Sequence, residues 1–216
     1  MTMNRNFILF FCIIFFCGSC SFTEVLQQLN VVTDRWSPSD PLTLYGYPFH
    51  PKNIEDPESY IGVIAWVGLK VGVDEYSEYT KGKVRWVGIA EGEREVHSRV
   101  LESIEFYGKQ KKSKETQRQI LEDECKKQNA EALLYGLYAT EETEMRLTVY
   151  MFVCEDKLAL SERGQISVNN TIVEKIVYNI ENDLSLTKSQ EEFLQTLTTK
   201  VATLTKQLIE KYINGK

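Results

Sequence analysis

Cys20 is the residue of this chain whose surroundings point most directly to chemistry. It follows an apolar run at 7–17 and the two small residues Gly18 and Ser19. A thiol in this position can be acylated, and small residues beside it suit a peptidase that cuts just before it. The run is about eleven residues long and follows Arg5, whereas a membrane-spanning helix needs roughly 20 apolar residues. We therefore expect a cleaved leader.

The four residues Cys17-Gly18-Ser19-Cys20 resemble the cleavage box of bacterial lipoproteins, with Cys17 where leucine is usual. The resemblance implies a signal peptide at 1–19, a thioether-linked lipid with an N-acyl chain on Cys20, and attachment to the lipid bilayer through that residue. Ser21, where inner-membrane lipoproteins carry aspartate, favours the outer membrane. An ordinary secretory signal and an uncleaved anchor are the alternatives.

Composition sets further bounds on the class of protein. The 216 residues include 25 basic and 31 acidic side chains, for a net charge of −6. An acidic chain argues against a nucleic-acid partner, which requires a basic face. Beyond the leader and Cys20, the cysteines are Cys125 and Cys154. In an exported protein they could pair, but the pattern favours two lone buried cysteines.

Proline concentrates in one part of the chain. All five prolines lie at 36–59, and proline fixes φ and lacks a backbone donor. The sequence therefore predicts a lipidated tether at 20–58 and a single globular domain at 59–216. Large apolar rings interrupt this tether, which suggests either burial against the domain or a partner-binding surface. The candidate surface residues are Trp36, Tyr45, Tyr47 and Phe49.

Hydrophobic patterning predicts both helices and strands in the domain. Helices are predicted at 93–108, 115–128 and 189–214, the last with a capping box formed by Ser189 and Glu192. Strands are predicted at 60–68, 84–89, 132–139 and 145–153, from 158 onward, and at 172–180, where helical spacing competes. Gly68 and Gly72 suggest no particular role. We therefore predict an α+β fold, an α/β sandwich with a small mixed sheet, flanking helices and a long C-terminal helix.

One stretch carries a family resemblance. The residues at 130–138, Ala-Glu-Ala-Leu-Leu-Tyr-Gly-Leu-Tyr, follow a helix and precede a charged hairpin. Together with the predicted strand at 60–68, they resemble the N-terminal domain of TolB and CsgG-type envelope lipoproteins. Trp66 and Cys154-Glu155 depart from that pattern. The resemblance implies a sandwich that docks other envelope proteins, and it carries over no catalytic residues.

Motifs for catalysis are scarce. His50 and His97 do not belong to a cluster with metal-ligand spacing, and the sequence has no nucleophile elbow or phosphate loop. We therefore predict no enzyme activity and no cofactor. The function predicted is a membrane-anchored protein-binding or assembly module of the bacterial envelope, with an envelope protein as partner and homo-oligomers as an option. The alternatives are a surface lipoprotein that binds host or matrix components, and a divergent hydrolase.

Overall fold

The computed structural model describes residues 35–52, 60–87, 114–141, 143–169, 172–173, 175–176 and 185–215. The predicted signal peptide, Cys20 and the predicted helix at 93–108 therefore lie outside the described residues. The helices are α1 (Tyr60–Tyr79), α2 (Lys114–Gln128) and α3 (Lys188–Ile213). The strands are β1 (Leu42–Gly46), β2 (His50–Pro51), β3 (Val84–Trp86), β4 (Ala132–Thr140), β5 (Glu144–Val153) and β6 (Leu158–Ser167).

The strands form one mixed sheet in the order β3-β1-β4-β5-β6, with β2 also paired to β4. β1 runs parallel to β3 and β4, while β4, β5 and β6 form antiparallel hairpins. α1 and α3 pack together against one face, and α2 packs against β4 on the other. The predicted α+β sandwich with a mixed sheet and a long C-terminal helix is confirmed.

The strand alternation places the core where the sequence predicted it. Leu147, Val149, Met151 and Val153 all lie buried on the face of β5 that α3 covers. Their cross-strand partners on β4 are buried on the same face, as in the pair Leu134 and Met151. Burial of one complete face is what fixes the register of such a hairpin.

α1 replaces the predicted strand at 60–68. That prediction was wrong, because the buried positions recur every three or four residues along one helical face. Gly68 and Gly72 lie where α1 crosses α3. A Cβ at Gly68 would lie 2.8 Å from the Val201 Cβ, and one at Gly72 would lie 2.7 Å from the Ala202 carbonyl oxygen. The glycines therefore allow close helix packing.

The N-terminal segment is part of the domain, and the predicted tether was wrong for residues 35–52. β1 is an interior strand that lies between β3 and β4, with Leu42 and Leu44 fully buried. Pro41 and Pro48 bracket this strand and do not interrupt its hydrogen-bonded ladder. Prolines at the two ends are compatible with an interior strand, whereas one inside it would remove a ladder donor.

Three smaller differences concern the type or the ends of other predicted elements. Within 172–180, predicted as a strand, the described residues 172–173 and 175–176 are helical. β3 ends at Trp86, earlier than the predicted strand at 84–89, and pairs with β1. The capping box of α3 lies two residues earlier than predicted. Thr187 and Gln190, rather than Ser189 and Glu192, exchange the two capping hydrogen bonds. The predicted helix end at Asn214 is confirmed.

Candidate functional site

The aromatic residues predicted as a candidate partner surface are core residues. Trp36, Tyr45, Tyr47 and Phe49 are between 1% and 6% exposed. Trp36 and Phe49 join the core beneath α1 and α3, while Tyr45 and Tyr47 pack edge to face beneath α2. The surface prediction is therefore corrected, because rings buried inside one chain leave no area to offer a partner. The alternative, burial against the domain, is confirmed.

Tyr47, which directly follows β1, also makes a polar contact with α2. Its hydroxyl donates a hydrogen bond to Glu124 Oε2 at 3.0 Å. Burial, and then the neighbouring carboxylate of Glu124, raise the pKa of Tyr47 above its ordinary value. The hydroxyl consequently stays protonated at neutral pH and remains a donor.

Cys125 and Cys154 form a disulfide, with their Cα atoms 6.1 Å apart. The favoured interpretation, two lone buried cysteines, was wrong. Cys125 lies on the buried side of α2, and Cys154 directly follows β5. The bond therefore fastens α2 to the sheet. Sequence alone did not decide this pairing, because it depends on where the helix lies along the strands.

A second cluster, the entry cluster, forms around Arg35 and Trp36, the first described residues of the chain. The Arg35 guanidinium pairs with Glu155 and lies 4.9 Å from the centre of the Trp36 ring. The Trp36 ring is 5.1 Å from that of Tyr212 near the end of α3, and the Tyr212 hydroxyl donates to Asp156 at 2.7 Å. Burial, and then the Asp156 hydrogen bond, raise the pKa of Tyr212. Three distant parts of the chain therefore meet at this entry.

Cavities open on the described surface, and two of them are lined by charged side chains. The larger, of about 770 Å³, lies over β4, β5 and β6 and is rich in basic side chains. The smaller, of about 580 Å³, lies beside the disulfide and has acidic and basic side chains in near balance. Within the described ranges, no three His, Cys, Asp or Glu side chains group as metal ligands. His50, which the sequence left without a role, is buried in β2.

No helix within the described part of the chain combines the length and apolar content needed to cross a membrane.

No protein-family model and no curated protein matches this chain. Among solved structures, the lipoprotein GNA1162 of Neisseria meningitidis is 13% identical with a TM-score of 0.32, and the match covers 67% of this chain and 100% of that one. The LpoB C-terminal domain of Salmonella enterica is 11% identical with a TM-score of 0.30, covering 65% and 95%. The PelC dodecamer of Paraburkholderia phytofirmans is 13% identical with a TM-score of 0.34, covering 78% and 90%.

TM-scores of this size assign the chain to no family. The comparisons do not show the resemblance to TolB or CsgG-type proteins. The strand at 60–68, which carried part of that resemblance, is the first half of α1.

Proposed function

We propose that this chain is a bacterial envelope lipoprotein whose domain acts as a non-catalytic binding or assembly module at the outer membrane. The observation that carries the proposal is the small-residue box ending at Cys20, directly after a short apolar leader. Removal of residues 1–19 would leave Cys20 as the acylated N-terminus. Each buried methylene adds about 0.8 kcal/mol of membrane affinity, so several acyl chains give durable attachment.

The disulfide supports an exported location. Cys125 and Cys154 are bonded in the folded domain, and such bonds persist in the oxidising compartments outside the cytoplasm. The entry cluster also sets how far the domain can lie from the membrane. The chain from Cys20 to Arg35 can span at most about 50 Å, so the domain remains close to the bilayer that holds Cys20.

The binding role is supported by an apolar stripe on α1. Tyr60, Val63 and Val67 are 37–44% exposed and recur at the spacing of one helical face. Exposed apolar side chains that share a face favour contact with another protein.

Metabolic labelling with palmitate tests the anchor. Wild type and Cys17→Ala should both incorporate label, because both keep the thiol at position 20. Cys20→Ala should incorporate none and should retain its leader. Label that persists in Cys20→Ala would contradict the proposal, since the lipid would then be attached elsewhere.

Site-specific photocrosslinking tests the binding role in intact cells. A crosslinker at Val63 should give discrete adducts with envelope proteins. The matched position is Gln195, which is exposed on α3 and polar. Identical adduct patterns at the two positions, or no adduct at Val63, would contradict a binding role for this stripe.

A further inference from the structure

β6 is an edge strand of the sheet, and no strand in the described part of the chain pairs with its outer side. It is ten residues long, pairs with β5 at every position and contains no proline. The strand at the other end of the sheet, β3, has three residues. Natural sheets shorten or interrupt their edge strands, because unpaired backbone groups invite pairing with another chain. β3 follows this rule, whereas β6 does not.

The hydrogen-bond pattern identifies the backbone groups of β6 that face outward. The Val168 N–H, directly after the strand, donates to the carbonyl of Thr143, directly before β5. Antiparallel partners bond at every second residue, so the even-numbered residues of β6 bond to β5 and the odd-numbered ones direct their N–H and C=O groups outward. All five odd-numbered residues are exposed: Ala159, Ser161, Arg163, Gln165 and Ser167. An added strand could therefore bond along the whole edge.

The face of β6 that points toward α3 carries a compensated charge and open apolar surface. Glu162 accepts a hydrogen bond from the Lys211 ammonium group at 3.3 Å. Leu158 lies on the same face, since its cross-strand partner Val153 belongs to the core beneath α3. Leu158 is nevertheless 43% exposed. A strand added beside β6 would cover part of this apolar surface.

We propose that the strand added to β6 is β6 of a second copy of this chain, paired antiparallel about a twofold axis. Odd-numbered residues of one copy must then bond to odd-numbered residues of the other, because only these have outward-facing backbone groups. Two residues of the same number therefore lie opposite each other at the axis, as an isologous interface requires. The interface goes beyond the proposed module function and does not depend on the lipid on Cys20.

Charge favours one register of this pair. Glu162 and Arg163 lie at the middle of β6, so an axis at either position pairs nearly the whole strand. An axis at Arg163 would place two guanidinium groups directly opposite each other, and Arg163 has no ion pair among the described residues that would offset their repulsion. An axis at Glu162 places two carboxylates opposite each other, but each is already paired with Lys211 of its own copy. The register centred on Glu162 is therefore favoured.

The same register also suits the side chains on both faces of the joined strands. On the face toward α3, it places Leu158 opposite Ile166 of the second copy, and opposed apolar side chains stabilise antiparallel pairs. On the other face, Ser161 lies opposite Arg163 of the second copy, so like charges do not oppose each other there. Pairing in this register therefore covers the open surface of Leu158 without burying an uncompensated charge.

Oxidative crosslinking of the full chain in cell membranes tests the register. Residues at position 162 would form a non-hydrogen-bonded pair with Cα atoms about 4.5 Å apart, a distance that a disulfide spans. Glu162→Cys should therefore give a dimer that reductant separates. Ser167→Cys is the matched control, because it is exposed on the same strand but its two copies would lie near opposite ends of the paired strands. Wild type, with Cys125 and Cys154 already bonded, gives the background.

Ser161→Pro tests the backbone pairing, because it removes an outward-facing N–H and leaves the hydrogen bonds to β5 in place. Sedimentation of the full chain in neutral detergent should show a dimer that dissociates about tenfold or more readily in this variant, since each copy loses one donor. Ser161→Ala keeps the N–H and should change dissociation little. Thermal melts confirm that each variant is folded.

A crosslink specific to position 162, together with a dimer weakened by Ser161→Pro alone, supports the interface. Equal crosslinking of Glu162→Cys and Ser167→Cys, or none at position 162, would overturn the proposed register. Wild type that stays monomeric at every concentration, or equal dissociation of Ser161→Pro and Ser161→Ala, would overturn pairing through β6.

Discussion

Cys125 on α2 is bonded to Cys154 at the end of β5, which makes the disulfide the covalent link between the two layers on that side of the sheet. Other contacts of α2 in the described part of the chain include the buried side of Leu121 and the Tyr47–Glu124 hydrogen bond. A 15-residue helix with so few buried side chains depends on such a link, because isolated helices of this length are marginal in water.

Loss of the disulfide should destabilise the domain. The bridged residues are 29 apart in sequence, for which the chain-entropy model gives about 3 to 4 kcal/mol in the free energy of unfolding. Urea denaturation of wild type with and without reductant, beside the Cys125→Ala/Cys154→Ala variant, measures the difference. The free energy of unfolding of the variant should not change when reductant is added. Detection of free thiols at both Cys125 and Cys154 in the native, unreduced protein would contradict the disulfide.

Close packing of α1 on α3 should not tolerate a side chain at Gly72. Gly72→Val would place atoms against the Ala202 carbonyl and Thr205, and overpacking of this kind costs about 1–3 kcal/mol or more. Val67→Ala, on the exposed side of the same helix, should change the melting temperature little. Equal melting temperatures for the two variants would mean that α1 and α3 do not approach as described.

The start of the domain can be located by truncation. A chain that begins at Arg35 keeps β1 and β2 and should melt cooperatively, as the longer chain does. A chain that begins at Pro57 loses an interior strand and the buried Leu42 and Leu44, so it should be unfolded. Circular dichroism melts compare the two. A cooperative melt of the shorter chain would restore the tether interpretation.

Sequence reasoning succeeded where the pattern is local and one-sided. β4 and β5 were predicted because one complete face of each is apolar, and α3 because its apolar positions recur every three or four residues. α1 was mistaken for a strand because a continuous apolar run fits a buried strand or a buried helix equally well. The role of Gly68 and Gly72 could not be predicted, because it depends on the position of α3, which packs against them.

The candidate sites differ in the same way. Cys20 could be proposed from sequence alone because its signal lies within four consecutive residues, and it stays a prediction. The larger cavity could not, because its lining residues come from separate parts of the chain that only the assembled sheet brings to one surface. β1 was assigned to a tether because proline content was averaged over a segment whose prolines lie outside the strand.

Alkaline pH should weaken the fold through its buried tyrosines. Burial raises the pKa of Tyr47, and also that of Tyr135 and Tyr212, above the ordinary value of 10.0. Above pH 10 the unfolded chain therefore releases these protons first, and the stability they contribute below pH 10 is progressively lost. The free energy of unfolding should fall from pH 10 upward.

Tyr47→Phe isolates one part of this effect. At neutral pH it should cost about 1–3 kcal/mol, because Glu124 loses its donor, and above pH 10 its stability should fall less steeply than that of wild type. Tyr79→Phe is the matched control, since Tyr79 is 82% exposed. Urea denaturation between pH 7 and pH 11 gives both slopes. A pH profile unchanged by Tyr47→Phe would contradict the assignment.

The proposed lipid anchor is tested most directly by mass spectrometry of the N-terminal peptide of the membrane-purified protein. Between Cys20 and Arg35 the chain has no Lys or Arg, so trypsin releases residues 20–35 as one peptide. The account predicts that this peptide begins at Cys20 and carries the mass of a diacylglycerol thioether and an N-acyl chain. A peptide that begins elsewhere, or one with an unmodified Cys20, would contradict it.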